Sequence, residues 1–163
     1  MSVAFGIDYG YVTAQLGGPV AAAACARRVT AMIAGAAGEA GRVVGVDAAV
    51  FTGQVEHVAA MAVAAARKVR DGIRAHNAQA SADGGAIIPL RSVAVFDGNV
   101  AWEPSVWGPG LRDARTLAHS YLFEGGRVFA TEAVSAAAGS AAQADVDVEY
   151  LGLREVQMCE VAR

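Results

Sequence analysis

Between Ser105 and Val134 the chain reads SVWGPGLRDARTLAHSYLFEGGRVFATEAV, and no other stretch restricts the possible fold as much. Trp107-Gly108-Pro109-Gly110 is a loop, because proline lacks the N–H a sheet ladder would use and the glycines take backbone angles other residues avoid. From Leu111 the apolar positions Leu111, Ala114, Leu117, Ala118, Tyr121 and Leu122 fall three and four apart, which places them on one face of a helix. Arg112, Asp113, Arg115 and Thr116 then take the other face, which reads as solvated. Glu124-Gly125-Gly126 stops that helix, and Arg127 to Thr131 is a short β-rich run. Loop, amphipathic helix, glycine turn and strand in succession make one α/β unit.

The rest of the chain supplies what such a unit packs against. Val3 to Tyr9 is an apolar run that carries Asp8 to the end of a buried strand, and Gly10, Gly17, Gly18 and Pro19 follow as a loop. Val20 to Ala37 is an alanine-rich helix, and Gly41 to Phe51 forms two short β runs that reverse between Gly45 and Asp47. Val55 to Gln79 is strongly helical: Val58, Met61, Ala62, Ala65, Val69 and Ile73 form its apolar stripe, while Arg67, Lys68, Arg70 and Arg74 face elsewhere. Ile87 to Val95 is a strand with Pro89 at its start, and the turn signal Asp97-Gly98-Asn99 predicts that Val93–Phe96 pairs with Val100–Trp102. Ser135 to Ala144 is a weak helix or loop, and Val146–Leu153 and Val156–Val161 alternate as a closing hairpin. The order β-α-β-β-α-β, extended by α-β and a hairpin, predicts an α+β fold. Its expected form is a ferredoxin-like plait, a mostly antiparallel sheet with helices on one face.

At 163 residues the chain is expected to form a single domain spanning 1–163. A net charge of −3 excludes the basic footprint of a nucleic-acid binder, and Lys68 is the only lysine. The longest uninterrupted apolar run, Val58 to Ala66, is far shorter than the roughly 20 residues a membrane helix needs, so no span is expected. There is no basic-then-apolar leader pattern, and Cys25 and Cys159 are too few and too distant for a disulfide framework or a metal site. A reducing, cytoplasmic setting follows as the expectation. His57, His76 and His119 have no metal-ligand spacing and read as surface groups.

The text Trp107-Gly108-Pro109-Gly110-Leu111-Arg112-Asp113-Ala114-Arg115-Thr116-Leu117, followed by Gly126-Arg127-Val128-Phe129-Ala130-Thr131, resembles the class III adenylate and guanylate cyclase homology domain. That family's motif runs W-G-x-x-V-N-x-A-x-R-L, a helix, a small-residue turn and I/V-x-V-T/S. Val95 to Val100 is similar to its G-I-x-x-G-x-V segment, and Leu151-Gly152-Leu153-Arg154 to its closing L-K-G region. Phe5 to Leu16 also reads as G-I-x-x-G-x-V, but the whole-domain frame leaves no strand missing. Gly6 to Gly10 further resembles the opening phosphate loop of actin-like ATPases and resolvase-like nucleases, where the aspartate contacts metal, without a second phosphate loop downstream.

The cyclase resemblance implies two metal ions held by two aspartates, which activate a ribose hydroxyl and neutralise phosphates. Asp8, with Thr13 at the matching spacing, and Asp47 in the hairpin fall on those positions. The other functional positions have lost their chemistry. The purine-recognising lysine falls on Val43 and the second purine residue on Ser105; the ribose-orienting asparagine falls on Arg112 and the transition-state arginine on Thr116. Losing charge stabilisation of this kind costs about 2 to 3 orders of magnitude per group. The expectation is a degenerate, catalytically inactive domain with no cofactor, acting by association as a homodimer or as a heterodimer with another cyclase-like chain. The alternative is the metal-carrying half of a heterodimeric cyclase that uses Mg²⁺ or Mn²⁺ with ATP or GTP.

Overall fold

The computed structural model describes residues 1–15, 17–98, 100–101, 108–120, 126–140, 142–151 and 154–161. Strand β1 (Ser2–Ile7) is buried along its whole length, as its apolar run predicts, and Asp8 stands directly after it. Helices α1 (Tyr9–Gln15) and α2 (Gly18–Ala37) follow, so part of the expected loop is helical. After a 3-10 turn at Gly38–Ala40 come β2 (Gly41–Val44) and β3 (Ala48–Phe51). The hairpin between them reverses at Gly45, whose φ of 69° favours glycine. Helix α3 (Val55–Asp83) ends on Gly84 in the left-handed region. Then come β4 (Leu90–Phe96), α4 (Pro109–Ala118), β5 (Arg127–Thr131), α5 (Glu132–Ala137), β6 (Ala142–Leu151) and β7 (Arg154–Val161).

The seven strands form one sheet in the order β2-β3-β1-β4-β5-β7-β6. Its first four strands, β2-β3-β1-β4, are mutually antiparallel and reproduce the ferredoxin-like plait. β5 extends the sheet in parallel with β4, and β7 and β6 continue antiparallel. The predicted hairpin of Val93–Phe96 with Val100–Trp102 does not form. From Ser92 to Val95 both edges of β4 are already taken, by β1 on one side and β5 on the other, so no third strand can pair there. Trp102 lies outside the described residues.

Alternation along the strands sorts side chains onto two faces of different texture. Val3, Phe5, Ile7, Phe51, Val93 and Val95 point to one side, where they pack with the buried stripes of α2, α3 and α5. Ala4, Ala48 and Ala94 point to the other, and α4 lies there with Leu111, Ala114, Leu117 and Ala118 against them. The helices therefore cover both faces and not one, which corrects the simple plait. The cause is local: small residues on that face let a helix sit close to the sheet.

Two contacts press α4 down. At its C-terminal end a Cβ on Gly6 would overlap the carbonyl of Ala118, so the helix backbone rests directly on β1. The buried Ser92 hydroxyl donates to that same carbonyl at 2.9 Å, supplying a partner to one of the helix's last free acceptors. At the N-terminal end Gly98 and Gly110 meet backbone to backbone, and a Cβ on Gly98 would clash with the Cα of Gly110.

On the other face, Gly18–Ala40 is a helical segment long and apolar enough to cross a membrane by length and composition. Counting uninterrupted apolar runs missed it because Arg27, Arg28 and Thr30 divide the run. Cys25, Val29, Ile33 and Ala37 of α2, one per turn, are buried in the core and the opposite side of the helix faces outward, the pattern of a helix laid on a sheet.

Candidate functional site

Asp8 and Asp47 come to the same corner of the sheet. Ala4 pairs with Ala48, and the Phe5 N–H donates to the Asp47 carbonyl at 2.8 Å, so the β2–β3 turn lies alongside the last residues of β1. The Tyr9 hydroxyl reaches the Val46 carbonyl at 3.3 Å, tying the start of α1 to the same turn. The register thus brings the two aspartates to one end of the sheet.

Their partners were not anticipated. Asp8 Oδ1 accepts from the Tyr11 N–H at 2.8 Å, which caps the first turn of α1, and Asp8 Oδ2 accepts from Arg91 Nη2 at 2.8 Å. Arg91 is available because Ile7 pairs with Leu90, which sets the start of β4 beside the end of β1. The Arg91 guanidinium, then the Tyr11 N–H, hold the Asp8 carboxyl below the usual carboxylate range. A depressed folded-state pKa means that the pair stabilises the fold at pH values above the unfolded pKa, about 3.9, and that this contribution disappears as pH falls further. Urea unfolding midpoints between pH 7 and pH 3 should therefore fall more steeply at the acid end for the wild type than for Asp8→Asn; identical profiles would contradict the pairing.

Asp47 is held in the same way by α4. Its Oδ1 accepts from Arg115 Nε at 3.1 Å and from Nη2 at 2.8 Å, and Nη2 also donates to the Val44 carbonyl at 3.1 Å. The Asp47 side chain is 17% exposed and that of Arg115 35%. A Cβ at Gly45 would come within 2.8 Å of Arg115 Nη2, so the glycine that permits the turn also leaves room for the guanidinium. The expectation that Arg115 lies on a solvated face pointing elsewhere is thus corrected. Arg115 flanks the buried Ala114, and the close seating of α4 brings its side chain down onto the hairpin turn. Asp113 is buried as well, and Arg112 Nε reaches it at 3.2 Å.

The described remaining positions are engaged locally or carry no polar group. Val43 packs half-buried against the core and has no donor to offer a base. The Arg112 side chain is 76% exposed, and the Thr116 hydroxyl donates at 3.1 Å to the Arg112 carbonyl of its own helix. Thr13 likewise donates at 2.8 Å to the Tyr9 carbonyl. Ser105 and Trp107 lie outside the described residues. Among the described residues no three His, Cys, Asp or Glu side chains gather as metal ligands.

A divalent cation needs several free, negatively charged oxygens. Here both oxygens of Asp8 and one of Asp47 already accept hydrogen bonds, and each carboxylate already faces a full positive charge. In this arrangement each of the two carboxylates is satisfied by a guanidinium of the chain itself. Sequence reading missed Arg91 and Arg115 as partners because they stand 83 and 68 positions from the aspartates they bind. The β1–β4 register joins Arg91 to Asp8, and the docking of α4 joins Arg115 to Asp47.

No protein-family model and no curated protein sequence matches the chain. Solved structures do. The chain is similar to the adenylyl cyclase CyaB from P. aeruginosa, with a TM-score of 0.70 at 16% identity over 99% of this chain and 93% of that one. It is similar to the guanylyl cyclase Cya2, with a TM-score of 0.67 at 16% identity over 99% and 90%. The guanylate cyclase domain of RhGC from Catenaria anguillulae, solved in complex with GTP, gives 0.61 at 12% identity over 99% and 94%.

Proposed function

We propose that the chain, which has the fold of a class III adenylyl or guanylyl cyclase catalytic domain, is a catalytically silent version of that domain which takes no metal cofactor and works by association, with itself or with another cyclase-like chain. The observation that carries this reading is the pair of internal salt bridges, Arg91 to Asp8 and Arg115 to Asp47. Arginine, which does not lose its charge in a protein, occupies the place a cation would take on both carboxylates. Val43, which has no hydrogen-bonding side chain, and Thr116, whose hydroxyl donates within its own helix, add support. The metal-bearing half of a heterodimer would have to exchange both arginines for metal, so that alternative is disfavoured.

Support for association comes from the outward side of α2. Val20 is 80% exposed, and a shallow groove further along α2 is lined by Ala23, Ala26, Ala31, Ala34 and Val46 together with Arg27 and Thr30. Incubation of the purified chain with ATP or GTP and Mn²⁺ is expected to yield no cyclic nucleotide above the uncatalysed level. Light scattering is expected to find a dimer. Measurable cyclic product would defeat the first claim, and a monomer at high concentration the claim of self-association.

A further inference from the structure

Away from Asp8 and Asp47, which do not line it, α2, the C-terminal half of α3 and the segment before β4 enclose a cleft of about 380 Å³. Val12, Cys25, Ala80 and Ile88 are buried around it, and Ala21 and Ala24 form the α2 wall, so short side chains leave the volume open. Clefts of this size with an apolar lining and few polar groups are typical of small-molecule sites.

The polar groups at its mouth are ordered by one histidine. His76 Nδ1 lies 2.9 Å from Arg28 Nη1, and His76 Nε2 lies 3.2 Å from the Ala86 carbonyl. A guanidinium only donates, so Nδ1 accepts and the neutral ring donates through Nε2–H to Ala86. His76 thereby ties α2, α3 and the following segment together and holds Arg28 at the mouth. The other N–H groups of Arg28 have no protein acceptor among the described residues. The one acid at the mouth, Asp83, takes a hydrogen bond from Gln79 Nε2 at 2.6 Å.

We propose that this cleft binds a small monocarboxylate with an apolar tail, its carboxylate on the free edge of Arg28 and its tail against Val12, Cys25 and Ile88. One guanidinium matches one carboxylate in a two-pronged contact. Asp83 nearby disfavours a doubly charged phosphate, and the apolar lining disfavours an ion without a tail. The site is independent of the silent-cyclase reading.

Octanoate and 1-octanol test it, with Cys25 as the reporter. In a Cys159→Ser variant Cys25 is the single thiol. Octanoate should slow its alkylation by N-ethylmaleimide at concentrations about tenfold lower than octanol requires, since a charge-assisted hydrogen bond is at stake. Arg28→Gln, an exposed substitution with the fold checked by circular dichroism, should remove that tenfold advantage. Ala24→Leu, which fills the wall, should abolish protection by both compounds. Equal protection by the two compounds, no protection by either, or protection that survives Ala24→Leu would overturn the proposal.

Discussion

Gly6→Ala should lower the unfolding free energy by about 3 kcal/mol, at the upper end of what overpacking a tight interior costs. The added Cβ would coincide with the Ala118 carbonyl, which belongs to the backbone and has no rotamer to escape into. Relief requires α4 to lift at its C-terminal end. That movement would also take the Ala118 carbonyl from the Ser92 hydroxyl and loosen Leu117 and Ala118, both buried against the sheet. Urea denaturation measures it directly. Gly35→Ala supplies the control, because a Cβ there meets nothing within 4 Å and alanine favours the helix. If Gly6→Ala and Gly35→Ala change stability alike, α4 does not rest on β1 as described.

Arg115→Ala has the second large effect, about 2 kcal/mol. Exposed ion pairs contribute roughly 0 to 1 kcal/mol, whereas removing one partner of a buried pair costs about 3 to 5. With Arg115 about one-third exposed and Asp47 mostly covered, the pair falls between those limits. Most of the loss arises because Asp47 keeps its charge after its counter-charge has gone. The double variant Arg115→Ala/Asp47→Asn should therefore be more stable than Arg115→Ala alone. Additive losses would mean that the two side chains do not meet in solution.

The seven strands, the long helix α3 and the β2–β3 turn were legible in the sequence, since alternation, helical spacing and glycine placement are local signals. The position of Asp8 at the end of β1 followed from the apolar run Val3–Ile7 for the same reason. What failed were inferences about third partners. The turn signal at Asp97-Gly98-Asn99 was read as a hairpin because nothing local reveals that both edges of β4 are taken. Arg115 was assigned to solvent because helical spacing separates faces but does not say how close a neighbouring hairpin comes. That distance depends on Gly6, Gly98 and Gly110, whose lack of side chains matters only once the helix is docked. The aspartates were thus found as candidates, and the arginines that change what those aspartates can do were not.

The most direct test of the account is the binding of Mn²⁺, followed by the electron spin resonance of the free ion. The wild-type chain should leave the free-ion signal undiminished, while Arg91→Ala/Arg115→Ala, with both carboxylates released, should reduce it in proportion to protein added. Stoichiometric loss of signal with the wild type, abolished by Asp8→Asn/Asp47→Asn, would show that the arginines yield to metal and that the domain is not silent for the reason given.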